Sequence, residues 1–203
     1  MKILNLESGL GGNCHLWPDN FKVTSIEIVP KIAEINQRLH PNHKVIVADA
    51  AQYLLENYLD FDFVWSSPPC QTHSRMNKAT RHKSCIRYVD MTLWQRIVFL
   101  KHYFKGKYCV ENVVPYYEPL IKPSKRIGRH LFWSNFEIVA NDVERPANFI
   151  NKCGIAGKNE MMDWLGIHYE ENIYYGTNHC PAQILRNCVH PKLGLQILQS
   201  AIV

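Results

Sequence analysis

Five short apolar runs recur at near-regular spacing: KILNL at 2–6, VTSIEI at 23–28, KVIVAD at 44–49, FDFVWSS at 61–67 and YCVENV at 108–113. They read as buried strands. Segments with helical marks lie between them. The clearest opens at Pro30, repeats Ile32, Ile35 and Leu39 at helical spacing, and stops before Pro41. A helix between two strands returns the chain to the same edge direction, so the strands pair in parallel and the fold class is α/β, a doubly wound, mostly parallel sheet. After Pro115 the pattern changes. A turn-rich stretch leads to a long strand candidate at 130–139 that begins a hairpin, residues 141–160 are polar and loop-rich, and Pro191 to Val203 reads as a closing helix.

At 203 residues, with 46% apolar and 20% charged types, the chain is expected to form one domain with a real core and not a disordered segment. No run approaches the roughly 18 apolar residues of a membrane span, and the opening MKILNLESGLGG is too short in apolar residues for a signal peptide, so the expected location is cytoplasmic or nucleoid-associated. Seven cysteines, at 14, 70, 85, 109, 153, 180 and 188, form no regular framework and read as free thiols. A zinc reading rests on Cys70-x2-His73 and His82-x2-Cys85; a better explanation of Cys70 follows, and no metal is expected. Residues 71–110 hold nine Lys or Arg against one acid, Asp90, so that stretch carries +8 and the rest of the chain −3 of the total +5. Its first half, poor in aliphatics, reads either as a phosphate-facing loop or as an ordinary solvated surface.

Ligands of an open parallel sheet gather at the carboxyl ends of its strands. The first run ends in Glu7-Ser8-Gly9-Leu10-Gly11-Gly12-Asn13, whose glycines let a backbone approach a ligand or merely shape a turn. The second ends at Glu27, followed by Ile28; an acid about 20 positions beyond a Gly-rich turn can accept from both hydroxyls of a ribose. The third ends at Asp49-Ala50. The fourth runs into Ser66-Ser67-Pro68-Pro69-Cys70-Gln71, where two prolines stiffen the approach to a thiol. The nearby cations His73, Arg75 and Lys78 are expected to favour the thiolate; the alternative is a small buried apolar cysteine. The fifth ends in Glu111-Asn112-Val113. A thiol and a protonatable carboxyl at one rim suit attack on an electron-poor aromatic ring.

In order, these residues resemble the DNA cytosine-5 methyltransferase family over most of the chain except about 140–160. ESGLGG resembles the first cofactor loop, Glu27 the ribose acid, Asp49 the adenine-contacting acid, Pro68-Pro69-Cys70-Gln71 the nucleophile motif, Glu111-Asn112-Val113 the acid motif, and Arg186-Asn187-Cys188-Val189-His190-Pro191 the last motif. The resemblance implies a Rossmann-like methyltransferase fold using S-adenosylmethionine, held by Ser8, Gly9, Leu10, Gly11, Gly12, Glu27, Ile28, Asp49, Ala50, Pro69, Asn187 and Val189. It implies a flipped cytosine attacked at C6 by Cys70, with Glu111 at N3 and Arg129 at the base or its phosphate. DNA contacts would come from Gln71, Ser74, Arg75, Lys78, Arg81, Lys83, Asn112 and Arg126. Three departures stand out. Glu7 occupies the place of a customary aromatic residue, Arg126-Ile127-Gly128-Arg129-His130 puts His130 where contiguous alignment expects an arginine, and Arg186 replaces a glycine. Only about 50 residues separate the arginine motif from the last motif, with 140–160 a reduced target-recognition-like insertion, so a short recognition site, a single-stranded substrate, a homodimer or a partner protein would compensate. The other readings are RNA cytosine-5 methylation and a catalytically silent DNA-binding module.

Overall fold

The computed structural model describes residues 1–75, 77, 87–146, 149, 157–174 and 180–202. Each apolar run forms a strand: β1 (Lys2–Leu6), β2 (Lys22–Glu27), β3 (Lys44–Val47), β4 (Phe63–Ser66) and β5 (Lys107–Val113). They lie in the order β3-β2-β1-β4-β5, all parallel, so strand order reverses between β1 and β4. A crevice forms at such a switch point.

The hairpin after Pro115 consists of β6 (Lys125–Ile127) and β7 (His130–Ser134), with β7 antiparallel between β5 and β6. Its two-residue turn is Gly128-Arg129, with Gly128 at φ 54°. Such tight turns favour a glycine at positive φ. The strand expected over 130–139 stops at Ser134. There the Asn135 side chain replaces the backbone ladder, accepting from the Tyr108 amide at 2.9 Å and donating to the Gly106 carbonyl at 2.9 Å.

The helices among the described residues are α1 (Pro30–Leu39), α2 (Ala50–Asn57), α3 (Thr92–Tyr103), α4 (Lys158–Leu165), α5 (Gln183–Arg186) and α6 (Pro191–Ile202). The closing helix expected over Pro191 to Val203 begins at Pro191, which needs no amide partner in the first turn. None of the helices is long and apolar enough to cross a membrane.

Side chains alternate across the sheet as strand geometry requires. Ile3, Phe63, Trp65, Cys109 and Phe132 face α6 through Leu193, Ile197 and Leu198. Leu4, Leu6, Val64, Val110 and Leu131 face α3 through Leu93, Trp94, Ile97 and Leu100. α6 also meets the single helical turn Gly12–Cys14 backbone to backbone. A Cβ at Gly194 would lie 1.9 Å from the Asn13 carbonyl oxygen, so only glycine fits there.

Candidate active site

The carboxyl ends of β1, β2, β4 and β5 surround a cavity of about 380 Å³. That volume is in the range of small-molecule sites. Ser8, Gly9, Leu10, Gly12, Glu27, Ile28, Asp49, Ala50, Pro69, Asn187 and Val189 line it, together with Cys70, Gln71, Glu111 and Arg129. Gly11 does not; its Cα faces inward, where a Cβ would come within 2.5 Å of the His40 ring.

On the β2 side, the Glu27 carboxylate orders the loop. Its two oxygens accept the amides of Gly9 and Val29, each at 2.9 Å. Burial pushes this carboxyl up, and those amides oppose the shift. Ile28 is apolar yet 63% exposed at the cavity wall, an open face for a flat ring. Asp49 caps α2 by accepting from the Gln52 amide at 2.8 Å. The opposite wall comes from the chain's far end. A Cβ on Gly12 would sit 2.7 Å from Cys188 Cβ and 2.8 Å from the Val189 carbonyl, so the glycine lets the last motif close on the first loop.

On the β4 and β5 side, Cys70 follows Pro69 and opens a helical turn, its carbonyl accepting the amides of His73 and Ser74. Burial, and then the Glu111 carboxylate, push its thiol up to about 11, with Arg129 the opposing cation. This corrects the expectation that His73 and Arg75 hold down the thiol. His73 is buried against the Tyr117 hydroxyl at 2.5 Å, and burial lowers its affinity for a proton. Arg75 is exposed. Alkylation of Cys70 by iodoacetamide in the free protein should therefore rise about tenfold per pH unit up to about pH 11, because only the thiolate reacts. Peptide mapping across pH tests this, and fast alkylation of Cys70 at neutral pH would contradict it.

Arg129 sits at the hairpin tip, donates to the Arg186 carbonyl, and lies 5.0 Å over the Phe149 ring. Burial lowers its pKa, while Glu111 and Cys70 oppose that shift. Glu111 Oε1 meets His130 Nδ1 at 2.5 Å, a diagonal pair across β5 and β7. His130 is thus the group holding the carboxyl, a role visible beforehand only as a departure from the expected arginine.

Several assigned residues sit elsewhere. Asn112 is buried, donates to the Pro68 carbonyl at 2.9 Å and accepts the Val113 amide at 3.0 Å, so it braces the segment that leads to Cys70. Arg126 lies exposed on β6 outside the cavity, and Ser74 bridges to Pro115. Lys78, Arg81 and Lys83 fall outside the described residues, as do His82 and Cys85 of the zinc reading. Arg96, counted in the basic stretch, is buried and pairs with Glu7 at 2.9 Å. That pair also explains the first departure. Glu7, a non-glycine residue at φ 50°, is held by Arg96 and by the Ser66 hydroxyl at 2.8 Å.

No protein-family model matches the chain, and no curated protein does. Among solved structures, the Entamoeba histolytica methyltransferase EhMeth is similar over 100% of this chain and 98% of its own, with TM-score 0.57 and 12% identity. A Spodoptera frugiperda DNMT2 mutant (TM-score 0.40, 21% identity) is matched over 55% of this chain and 35% of its own. An Agrobacterium tumefaciens SAM-dependent methyltransferase (TM-score 0.42, 14% identity) is matched over 58% and 40%. The chain thus spans well under half of those two. The end-to-end likeness to EhMeth shows that the seven-stranded, mostly parallel sheet is a Rossmann-like methyltransferase fold.

Proposed function

We propose that the protein transfers a methyl group from S-adenosylmethionine to C5 of cytosine in DNA through a covalent Cys70–C6 adduct. The observation that carries this reading is the convergence of Cys70, Glu111 and Arg129 on the same cavity as the Gly-rich loop, Glu27 and Ile28. The donor's features fit that cradle. Glu27 suits two ribose hydroxyls, exposed Ile28 suits an adenine face, and side-chain-free Gly12 lets the backbone close the wall. When bound, the donor supplies an electrophilic methyl on a sulfonium.

The residues account for the proton transfers that precede methylation. The Cys70 thiol gives its proton to Glu111, sulfur bonds to C6, and the Glu111 carboxyl delivers the proton to N3. Neutralising Glu111 also removes the negative charge that opposes the thiolate, and Arg129 stabilises the sulfur anion at that moment. C5, now electron-rich, takes the methyl. Loss of the C5 proton to a base, with return of the C6–S electrons to sulfur, then restores the ring and frees Cys70, while the N3 proton goes back to Glu111. His130 keeps the carboxyl aimed, and Asn112 keeps the Pro68-Pro69 segment in place.

The test is nucleoside mass spectrometry on DNA and, separately, RNA incubated with the protein and S-adenosylmethionine. 5-Methylcytosine in DNA is the expected product. Product only in RNA would move the substrate assignment, and none in either would overturn the reading.

DNA contact is assigned to the basic stretch after Cys70. Neutralising Arg75, Lys78, Arg81 and Lys83 together should weaken DNA binding and flatten the slope of log affinity against log salt by about 3 to 4, since each phosphate contact contributes about 0.9. An unchanged slope would remove these residues from the interface.

A further inference from the structure

Behind the cavity, and not lining it, Cys14, His15, His40 and His43 form a cluster between the first loop and the end of α1. Its hydrogen bonds fix where the protons are. His40 Nδ1 faces two oxygens of Asn36, the carbonyl at 3.0 Å and Oδ1 at 2.8 Å. The Asn36 amide nitrogen donates to the Gly9 carbonyl at 2.8 Å, so Oδ1 is an acceptor and His40 carries its proton on Nδ1. His15 Nε2 faces the Gly166 carbonyl at 3.1 Å, so His15 carries its proton on Nε2. The remaining nitrogens, His40 Nε2 and His15 Nδ1, point at each other 3.0 Å apart. With both rings neutral, two lone pairs converge with nothing between them. Cys14 Sγ, His40 and His43 already lie with ligand atoms within 4.8 Å of one another, and Cys14 Sγ is 3.9 Å from His43 Nδ1.

We infer that Cys14, His15, His40 and His43 bind a zinc-class divalent cation that bridges these facing nitrogens. One thiolate with imidazoles is a donor set suited to zinc. Zn–N bonds of about 2.0–2.1 Å and Zn–S of about 2.3 Å put tetrahedral nitrogens about 3.3 Å apart and nitrogen about 3.5 Å from sulfur. The 3.0 Å and 3.9 Å separations lie within about half an ångström of these values. Bonds from the far nitrogen of a ligating histidine to a carbonyl are the usual outer support, and His40 has Asn36 while His15 has Gly166. The His43 ring lies parallel to His40 at 5.0 Å between centroids, so it must turn to aim Nδ1 at the ion. Binding releases the Cys14 thiol proton to solvent and ends its bond to the Gly11 carbonyl. The half-buried His15, beside exposed Leu16, gives access from solvent. The ion's role is structural. It ties the turn that carries Gly11 and Gly12 to the end of α1 and to the Gly166 cap of α4.

The test uses the full chain loaded with cobalt(II) and, separately, zinc. A thiolate-to-cobalt charge-transfer band, with intense tetrahedral visible bands, is expected in the unmodified protein and in Cys180→Ser, and lost in Cys14→Ser. Zinc about 100-fold above its dissociation constant should raise the melting temperature by about 5–10 °C. If Cys14→Ser does not fold, His15→Asn serves instead, with cobalt affinity expected to fall at least about tenfold. Absence of the band, its survival in Cys14→Ser, unchanged affinity in His15→Asn, or no thermal response to zinc would each overturn the site. None of these readouts depends on methyl transfer.

Discussion

A DNA oligonucleotide containing 5-fluorocytosine should become covalently attached to Cys70 in the presence of S-adenosylmethionine, and Cys70→Ala should form no adduct and lose at least about four orders of magnitude in turnover. The fluorine at C5 cannot leave as a cation, so the adduct formed at C6 has no route to release the thiolate. The size of the loss follows from the role: removing a nucleophile removes the covalent path, leaving only positioning and electrostatics. Glu111→Gln should also fail to form the adduct efficiently although Cys70 remains. A carboxamide cannot take the thiol proton or deliver it to N3, and here both transfers pass through that one side chain. Denaturing electrophoresis and peptide mapping read both variants. Attachment in Cys70→Ala, or attachment at another cysteine, would sink the nucleophile assignment.

The largest expected effect on stability is at Glu7. Glu7→Ala leaves Arg96, whose side chain is 3% exposed, with a full charge and, among the described residues, the Ser66 hydroxyl at 3.0 Å as its remaining side-chain partner. Breaking a buried pair from one side costs about 3–5 kcal/mol. For a domain of this size each kcal/mol shifts melting by about 2–4 °C, so a drop of about 10 °C is expected. The double variant Glu7→Ala with Arg96→Met should recover most of it, because no stranded charge remains. Calorimetry on the parent, Glu7→Ala, Arg96→Met and the double variant tests this. A single variant melting within about 2 °C of the parent would show that the pair does not hold this end of β1 against α3.

These two sites also show how far the sequence could be read. β1 matches its expected limits and β2 to β5 begin and end within two residues of theirs, because each carries a compact apolar run bounded by polar residues. The strand ends were legible for the same reason: once the strands are placed, Cys70, Glu27 and Glu111 fall at one rim by topology alone. What stayed hidden were partnerships between distant residues. Arg96 stands in a basic stretch and reads as surface until α3 is packed against β4. Asn112 sits beside a catalytic candidate, and only the fold shows its amide spent on Pro68, 44 positions earlier. The tautomers of His15 and His40 depend on Asn36 and Gly166, which no local spacing connects.

The closure of Cys188 and Val189 over Gly12 sets an order in time. The ribosome makes the Gly-rich loop well before its opposing wall, which Cys188 and Val189 supply with α6 behind it against Asn13. A nascent chain stalled before residue 187 can assemble the parallel strands but has only half a cradle for a nucleoside. Competence to enclose a ligand in this cavity therefore waits on residues 187–189, and chains made only as far as α4 lack it.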